Sequence, residues 1–560
     1  MANQRFQQPS LEMVTESMPL INDELPSSPV RSKVVIVGAG AAGLQCAQLL
    51  VTEYGLLPDD VIILEARNRV GGRIHTVDWE LQTVNDSYVS IRRDLGAAWV
   101  HGTGLDWGAD LAENEDKAIP MLNPMMKLLE RATGQGQSLY DVHLDPVFSG
   151  NPCSRPRTVL HKENKLAIFV AGQLVNKNSP AIQAALERYF LILSGLNAYA
   201  CDLRQQGLDK KLNFITLEEA MAAVQQNDIL QAQLHQIDKE YLELTLQLTS
   251  FHFHLAEVWR GTPASEIALS EFVHDDAIDD DTMYVQDSDF YGPHCRLKQG
   301  MSAVIGPLLC NKVSDRVCLN QQVIKIKLDD DGVSLQTLSG LTVHAAACVS
   351  TLSVGCLQEA VTAEKRLFEP SLSSCKNEYL SSTTMGSYKK VFLTFSYIFW
   401  PPNDVLIGMV VKQEDNHQGR PLGNFLIALN CWAKDGMPCL EIDLVGKAAA
   451  WATGRSEDEI VEAVLDFIAE AMGICDKLKD LCIDHLVTRW EEDPFSRGAY
   501  SDTANGAAMS HIEGLRKTEW GGRLVFAGEA TVPGLEGSVY GALISGHHAA
   551  KNISEYLTSQ

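Results

Sequence analysis

The sequence predicts an α/β protein built on a Rossmann-like dinucleotide-binding core, and three observations carry that prediction. The β-branched run at 34–37 (VVIV) enters Gly38-Ala39-Gly40-Ala41-Ala42-Gly43 and then a helix-forming stretch that continues to residue 50. A strand, glycine turn and helix start in this order set a pyrophosphate at a helix N-terminus. A second apolar run at 61–64 (VIIL) ends on Glu65, at the distance that a ribose-binding carboxylate needs. Finally, 560 residues with 45% hydrophobic and 21% charged side chains leave room for two or more domains around a large core.

Within the turn each small residue has its own task. Gly38 permits the tight bend, Gly40 lets the backbone approach the phosphates, Ala42 continues the open turn, and Gly43 lets the helix pack closely on the strand. Past Glu65 comes Ala66-Arg67-Asn68-Arg69-Val70-Gly71-Gly72-Arg73. Open backbone at Gly72, flanked by the guanidinium forks of Arg67 and Arg73, offers a second phosphate contact. The segment Asp94-Leu95-Gly96-Ala97-Ala98-Trp99-Val100-His101 then brings small residues beside a Trp and a His. Ala98 would let backbone meet a flat ring system, and Trp99 either packs against that ring or is a core aromatic.

Composition narrows the class. The net charge of −26 disfavours nucleic acid as a partner, and it fits both plain solubility and the gathering of cationic substrates. Thirteen cysteines without a CxxC pair read as reduced thiols, not as a disulfide framework or a zinc site, and no metal is expected. Residues 1–32 are polar and lack an apolar h-region, so they read as a disordered arm and not as a signal peptide. No stretch approaches 18 uninterrupted apolar residues, which predicts no membrane span and a cytoplasmic location.

Residues 130–165 lack a clear period and read as a loop-rich insert, and from about 180 helices dominate. Apolar Leu230, Leu234, Ile237, Tyr241, Leu244 and Leu248 recur at steps of four and three, which predicts one amphipathic helix over 228–250. His252 and His254 end that region. The acidic run at 274–281 lacks the glycine turn of a cation loop; it is a solvated loop or a collector of polycations. Asp329-Asp330-Asp331-Gly332 between two apolar runs predicts a hairpin. Alternation of Val391, Leu393 and Phe395 predicts a strand with Lys390 on its other face. A helix over 460–471, a strand over 523–527 and a helix beginning near Ser538 complete the chain.

GAGAAGL, LEARNRVGGR and DLGAAWVHG are followed, in order, by Thr488-Arg489-Trp490, by 493–501 (DPFSRGAYS), by 526–531 (FAGEAT) and by 537–546. This ordered set resembles the flavin-containing amine oxidase family, closest to the polyamine oxidases. The resemblance is strong over 33–110 and 480–550 and moderate over 296–400. It implies a glutathione-reductase-like FAD-binding domain (33–122, 289–375 and 488–556). That domain is interleaved with an α+β substrate-binding domain on a mixed sheet (123–288 and 376–487), after the arm at 1–32.

The resemblance also implies roles. FAD would be non-covalent, because Ala499 stands where monoamine oxidases carry the tethering Cys. Lys390 would be catalytic, holding a water at the flavin N5, with Lys389 as the alternative register. Tyr500 would be one wall of an aromatic cage. The opposite wall falls near Ser538, whose hydroxyl would instead hydrogen-bond a second substrate nitrogen, and His101 agrees with that animal-type pattern. His254 stands where some members carry a carboxylate, which leaves open the group that holds the distal ammonium. Val323 would contact the adenine end by its backbone. Gly528 and Glu529 would meet the ribityl chain, and Val539 would open a helix aimed at the pyrimidine. Ser353 replaces a family proline and is expected to loosen its turn.

The implied reaction moves a hydride from the carbon beside a neutral amine to the flavin, hydrolyses the imine, and passes electrons to O2 to give H2O2. The implied partners are a small cationic amine and O2, with no nucleic acid and no membrane. An amino acid oxidase would need an arginine in the cage, and none can be placed there. A demethylase of methylated lysine would be expected to bring a further N-terminal domain and a long inserted helix pair. A flavoprotein kept only for binding is the remaining alternative.

Overall fold

Val30–Val37 lies in the middle of a sheet because it can afford no wet face: residues 34–36 are fully buried. It runs parallel to Val61–Leu64 on one side and to Thr342–Ser350 on the other. The structure, a computed structural model, describes residues 29–82, 88–100, 125, 128, 140–141, 166–236, 241–271, 296–297, 299–412, 420–474, 478–503 and 514–560. His101, the acidic run at 274–281, the arm up to residue 28 and nearly all of the 130–165 insert lie outside the described residues.

Eight strands form this first sheet. Val317–Cys318, Val61–Leu64, Val30–Val37, Thr342–Ser350 and Leu524–Phe526 are parallel. The N-terminal half of Thr342–Ser350 instead pairs with Gly332–Thr337, the second arm of the expected hairpin, whose first arm is Val323–Asp329. That first arm in turn pairs with Phe368–Glu369. Register puts Val37 opposite Leu64 and opposite Ser350, and Ser350 opposite Phe526. The carboxyl ends of four strands, gathered from both ends of the chain, therefore share one edge, where ligands bind in open parallel sheets. Helices Ala41–Thr52 and Val539–Thr558 cover one face, burying Leu44, Leu543 and Ile553 on Ile36 and Val525. They cross closely: a Cβ on Gly546 would stand 2.4 Å from the Ala42 carbonyl oxygen.

The second sheet has seven strands in the order Cys482–Val487, Tyr388–Phe395, Cys439–Val445, Phe425–Asn430, Leu406–Val410, Leu166–Val170, Gln173–Leu174. It is antiparallel except for the pairing of Leu406–Val410 with Leu166–Val170. Val391, Leu393, Leu440, Ile442 and Leu444 form one core with Ile460, Val464 and Ile468 of helix Glu457–Met472. A capping box of Ser456 and Glu459 starts that helix. The period of two then turns Tyr388, Lys390, Glu441 and Asp443 to the opposite face.

The single helix expected over 228–250 is two helices, Asp228–Leu234 and Leu242–Arg260. The Asn227 side chain caps the first by accepting from the Ile229 and Leu230 N–H groups. Tyr241, at φ −117° and ψ 26°, precedes the second with non-helical torsions. Apolar spacing reports which face is buried, not whether the backbone is continuous. Leu230 and Leu234 join Tyr189 and Leu196, whereas Leu248 packs with Phe251 under the second sheet. His252 and His254 therefore sit inside a helix that continues to Arg260 and stops at Gly261.

Candidate active site

A cavity of about 610 Å³ runs between the carboxyl edge of the first sheet and the polar face of the second. The glycine turn builds one end. The Gly38 N–H donates to Leu64 O at 2.8 Å and ties the turn to the neighbouring strand. A Cβ on Gly43 would stand 2.1 Å from Gly38 O, so only glycine lets the helix sit this close. Gly40 caps that helix without a side chain, which leaves its first-turn N–H groups facing outward for an anion. Glu65 is 4% exposed, and its two oxygens accept from the Ala39 and Arg67 N–H groups at 2.8 and 2.9 Å. A carboxyl group held by two such bonds keeps accepting capacity for ribose hydroxyls. A Cβ on Gly528 would meet nothing within 4 Å. Open backbone, an uncapped helix start and an oriented carboxylate fit a dinucleotide.

Gly38, Gly40, Ala42, Glu65, Arg67, Gly72, Arg73, Ala98, Trp99, Val323, Gly528, Glu529 and Val539 all line this cavity, while Gly43 stands behind it. The two arginines are engaged with the C-terminal segment. Arg67 donates to Asp493 and Ser496 at 2.8 and 2.7 Å, and Arg73 donates to Glu529 and Ala499 O at 2.8 and 3.1 Å. Glu529 also accepts from Gly537 N and from Ser501. Burial raises the Glu529 carboxyl, but Arg73 and these donors hold it below the usual carboxylate range.

Lys390, not Lys389, faces the cavity. Its ammonium donates to Asp94 O at 3.0 Å and Gly96 O at 2.9 Å and pairs with Glu441 Oε1 at 3.0 Å. Its backbone is fixed by the Thr488 hydroxyl. Lys389 is buried on the other side against Glu491 at 2.7 Å. Tyr500 lines the cavity with its ring centroid 5.9 Å from that of Tyr388. Ser538 lines it as well, but its hydroxyl donates to Leu535 O and accepts from Gly541 N as the cap of the last helix. Tyr388 is thus an aromatic neighbour of Tyr500 that the sequence did not point to.

His254 is not among the lining residues; its ring meets Glu257 at 2.7 Å, while Leu255 and Val258 of the same helix reach the cavity. Ser353 does not loosen its turn: it caps Val354–Ala360 and donates to Ser496 O at 2.7 Å.

Tyr388, Glu441, Asp443 and Trp490 also line the cavity and were not expected. Tyr388 was within reach of the alternation rule, since it lies two residues before Lys390 on the same face. Glu441 and Asp443 carried no signal, because only the antiparallel register, Lys390 opposite Asp443, brings them in. Arg296 clamps Glu441 with both terminal nitrogens, at 2.7 and 3.4 Å. Burial pushes the Glu441 carboxyl up, yet Arg296 and Lys390 outweigh it and hold the group at about 2.

A parallel-sheet dinucleotide cradle facing a lysine, two carboxylates and a tyrosine pair defines a dinucleotide-dependent oxidoreductase. The chain belongs to the flavin-containing amine oxidoreductases, whose family model matches residues 41–554. The cofactor is FAD, and the reaction class is flavin-dependent amine oxidation. The chain is similar to Polyamine oxidase 4 of Oryza sativa subsp. japonica, with 26% identity over 97% of this chain and 92% of that one. It is also similar to Possible lysine-specific histone demethylase 1 of Drosophila melanogaster, with 26% identity over 94% of this chain, but it spans only 63% of that relative's length. The fold matches an engineered putrescine oxidase at a TM-score of 0.61 and 16% identity, over 94% of this chain and all of the other. Among the described residues no helix is long and apolar enough to cross a membrane.

Proposed function

We propose that the chain is an FAD-dependent oxidase of polyamines, such as spermine, spermidine or their acetylated forms. The observation that carries this reading is the sheet face on which Lys390, Glu441, Asp443 and Tyr388 meet Tyr500 in one cavity. Similarity to a rice polyamine oxidase along nearly the full length of both chains supports it. Bound FAD supplies the two-electron acceptor for the C–H bond beside the reacting nitrogen. The protein's part is to bind, orient and dry the amine. Tyr388 and Tyr500 present aromatic faces suited to a nitrogen that gains positive charge. Leu255, Val258 and Ile427 exclude water around it. Lys390, held by Asp94 O, Gly96 O and Glu441, would stand beside bound FAD as the catalytic lysine, and Ser538 lines the substrate pocket. The products are an aminoaldehyde, a shorter amine and hydrogen peroxide.

Non-covalent FAD, the interleaved division into domains given above, and a cytoplasmic setting belong to the same proposal. Nine of the described cysteines are free thiols, which suits a reducing compartment. The purified protein should be yellow and lose its colour without oxygen when spermine or spermidine is added. If no polyamine bleaches it but a methylated-lysine peptide or an amino acid does, the polyamine reading is wrong and the other amine takes its place.

A further inference from the structure

The four ionisable groups on the polar sheet face are unevenly matched. The Lys390 ammonium has three donors, and all three have acceptors in Asp94 O, Gly96 O and Glu441. Glu441 has two oxygens, and Arg296 and Lys390 occupy both. Two cations thus share one carboxylate and need no other. Asp443 lies beside them, opposite Lys390 in the strand register and facing the cavity. The Tyr388 hydroxyl hydrogen-bonds it, yet Oδ1 is buried without a hydrogen-bond partner among the described residues. A carboxylate with an unpartnered buried oxygen is costly to ionise, and a cationic ligand at the same carboxyl offsets that cost. The amine oxidised in this family is positively charged in water, and it must give up a proton before its C–H bond can react.

We propose that Asp443, through the part of its carboxylate that lines the cavity, receives the substrate ammonium and takes its proton, delivering the neutral amine that oxidation requires. The N–H bond of the ammonium breaks, an O–H bond forms on the Asp443 carboxylate, and the bonding pair stays on nitrogen as its lone pair. No electrons leave the pair of reactants in this step. Asp443 is then a catalytic residue, with Tyr388 as the group that steadies its ionised form. The proposal rests on the amine-oxidising reading above, whichever amine proves to be the substrate.

The groups around Asp443 suit this task. Burial and the Glu441 carboxylate push its carboxyl up to about 7, against the pull of Lys390, the Tyr388 hydrogen bond and Arg296. Tyr500 stands behind Tyr388, and the facing strand contributes the apolar Ile427. A proton acceptor works best when its pKa lies near the working pH.

Anaerobic bleaching of the FAD-loaded enzyme by spermine, spermidine, putrescine and a methylated-lysine peptide, followed against pH, tests the proposal. The group must be ionised to accept a proton, so the bleaching rate per amine concentration rises through neutral pH in the wild type. Asp443→Asn should lose that rising limb and bleach on the order of 100-fold more slowly at neutral pH. It should leave only the limb set by the amine itself. Asp443→Glu should restore the limb. Tyr388→Phe removes a hydrogen bond to the ionised form and should move the limb to higher pH. Without substrate, the infrared band of a protonated carboxylic acid should titrate near neutral pH in the wild type and be missing in Asp443→Asn. This readout stands even if the variant bleaches too little to follow. Wild-type rates and an unchanged pH profile in Asp443→Asn overturn the proposal while leaving the amine oxidase reading intact. Failure of every amine to bleach the wild type overturns both.

Discussion

Glu441 holds two buried cations at once, and its removal should be felt in both stability and chemistry. Arg296 is 1% exposed and Lys390 is 7% exposed, so neither can turn to water when the carboxylate is lost. Glu441→Gln keeps the shape and deletes the charge. Breaking a buried pair in this way typically costs about 3–5 kcal/mol, and denaturant unfolding of the FAD-loaded protein should read a loss of that order. The same carboxyl has a signature in acid. Its folded value of about 2 lies below the ordinary 4.5, so its contribution is complete above pH 4.5 and is lost as pH falls through 2. Between those limits the wild type should lose stability more steeply than the variant, and equal slopes would contradict the network. Lys390→Met tests the neighbouring position. It removes the ammonium that Asp94 O, Gly96 O and Glu441 hold at the cavity and keeps most of the stem, so turnover should fall by about 100-fold or more. Stopped-flow reduction and reoxidation would show which half-reaction slows. The residue scale is also where the sequence was least informative. Lys390 could be singled out by its strand position and its motif, but Glu441 and Asp443 look like ordinary polar positions in a half-buried strand. Their partners lie about 50 and 150 residues away and become neighbours only through sheet register.

At the scale of elements, local signals were legible wherever one short stretch contains both the cause and its effect. The strand, turn and helix at Val30–Val37 and Ala41–Thr52 could be read because each glycine answers a contact within the same stretch. Gly43→Val should separate helix from strand and abolish flavin uptake, measured as bound FAD per protein, because its Cβ would overlap Gly38 O. The hairpin Val323–Asp329 and Gly332–Thr337 was likewise announced by its turn. Continuity across 228–250 was not legible, since periodicity passes over a break between two helices that pack into different cores. Ser353 shows the opposite error, in which a departure from a motif seemed a weakness. Its torsions, φ −60° and ψ 159°, would suit a proline, but the serine adds a cap to Val354–Ala360 and a bond to Ser496 O. Ser353→Ala should therefore lower the unfolding free energy by about 1 kcal/mol. A urea midpoint unchanged from the wild type would mean that the cap contributes nothing.

Across the whole molecule, the cofactor cavity is assembled by ties between distant parts of the chain. Arg73 meets Glu529 across 456 residues, Arg67 meets Asp493 across 426, and Lys390 reaches Asp94 O across 296. The lining comes from both sheets, so a ligand that fills the cavity touches segments from distant parts of the chain at once. On the proposed reading FAD binds the assembled cavity and has no comparable site on the unfolded chain. It should therefore stabilise the protein by mass action, by about 4 kcal/mol when its free concentration is 1,000 times its dissociation constant. This holds only if the cofactor can leave. With Ala499 in the tethering position, the one thiol among the described lining residues is Cys356, which donates to Pro494 O and is raised in pKa chiefly by burial. A thiol kept protonated is a poor nucleophile toward a flavin ring. Acid precipitation should consequently leave a yellow supernatant and a colourless pellet. Protein stripped of FAD should melt at a temperature that climbs as FAD is added back, with Arg73→Ala weakening the response because it opens the tie at Glu529. A yellow pellet, or a melting temperature indifferent to added FAD, would overturn the non-covalent assignment. It would also move the search for a flavin link to Cys356.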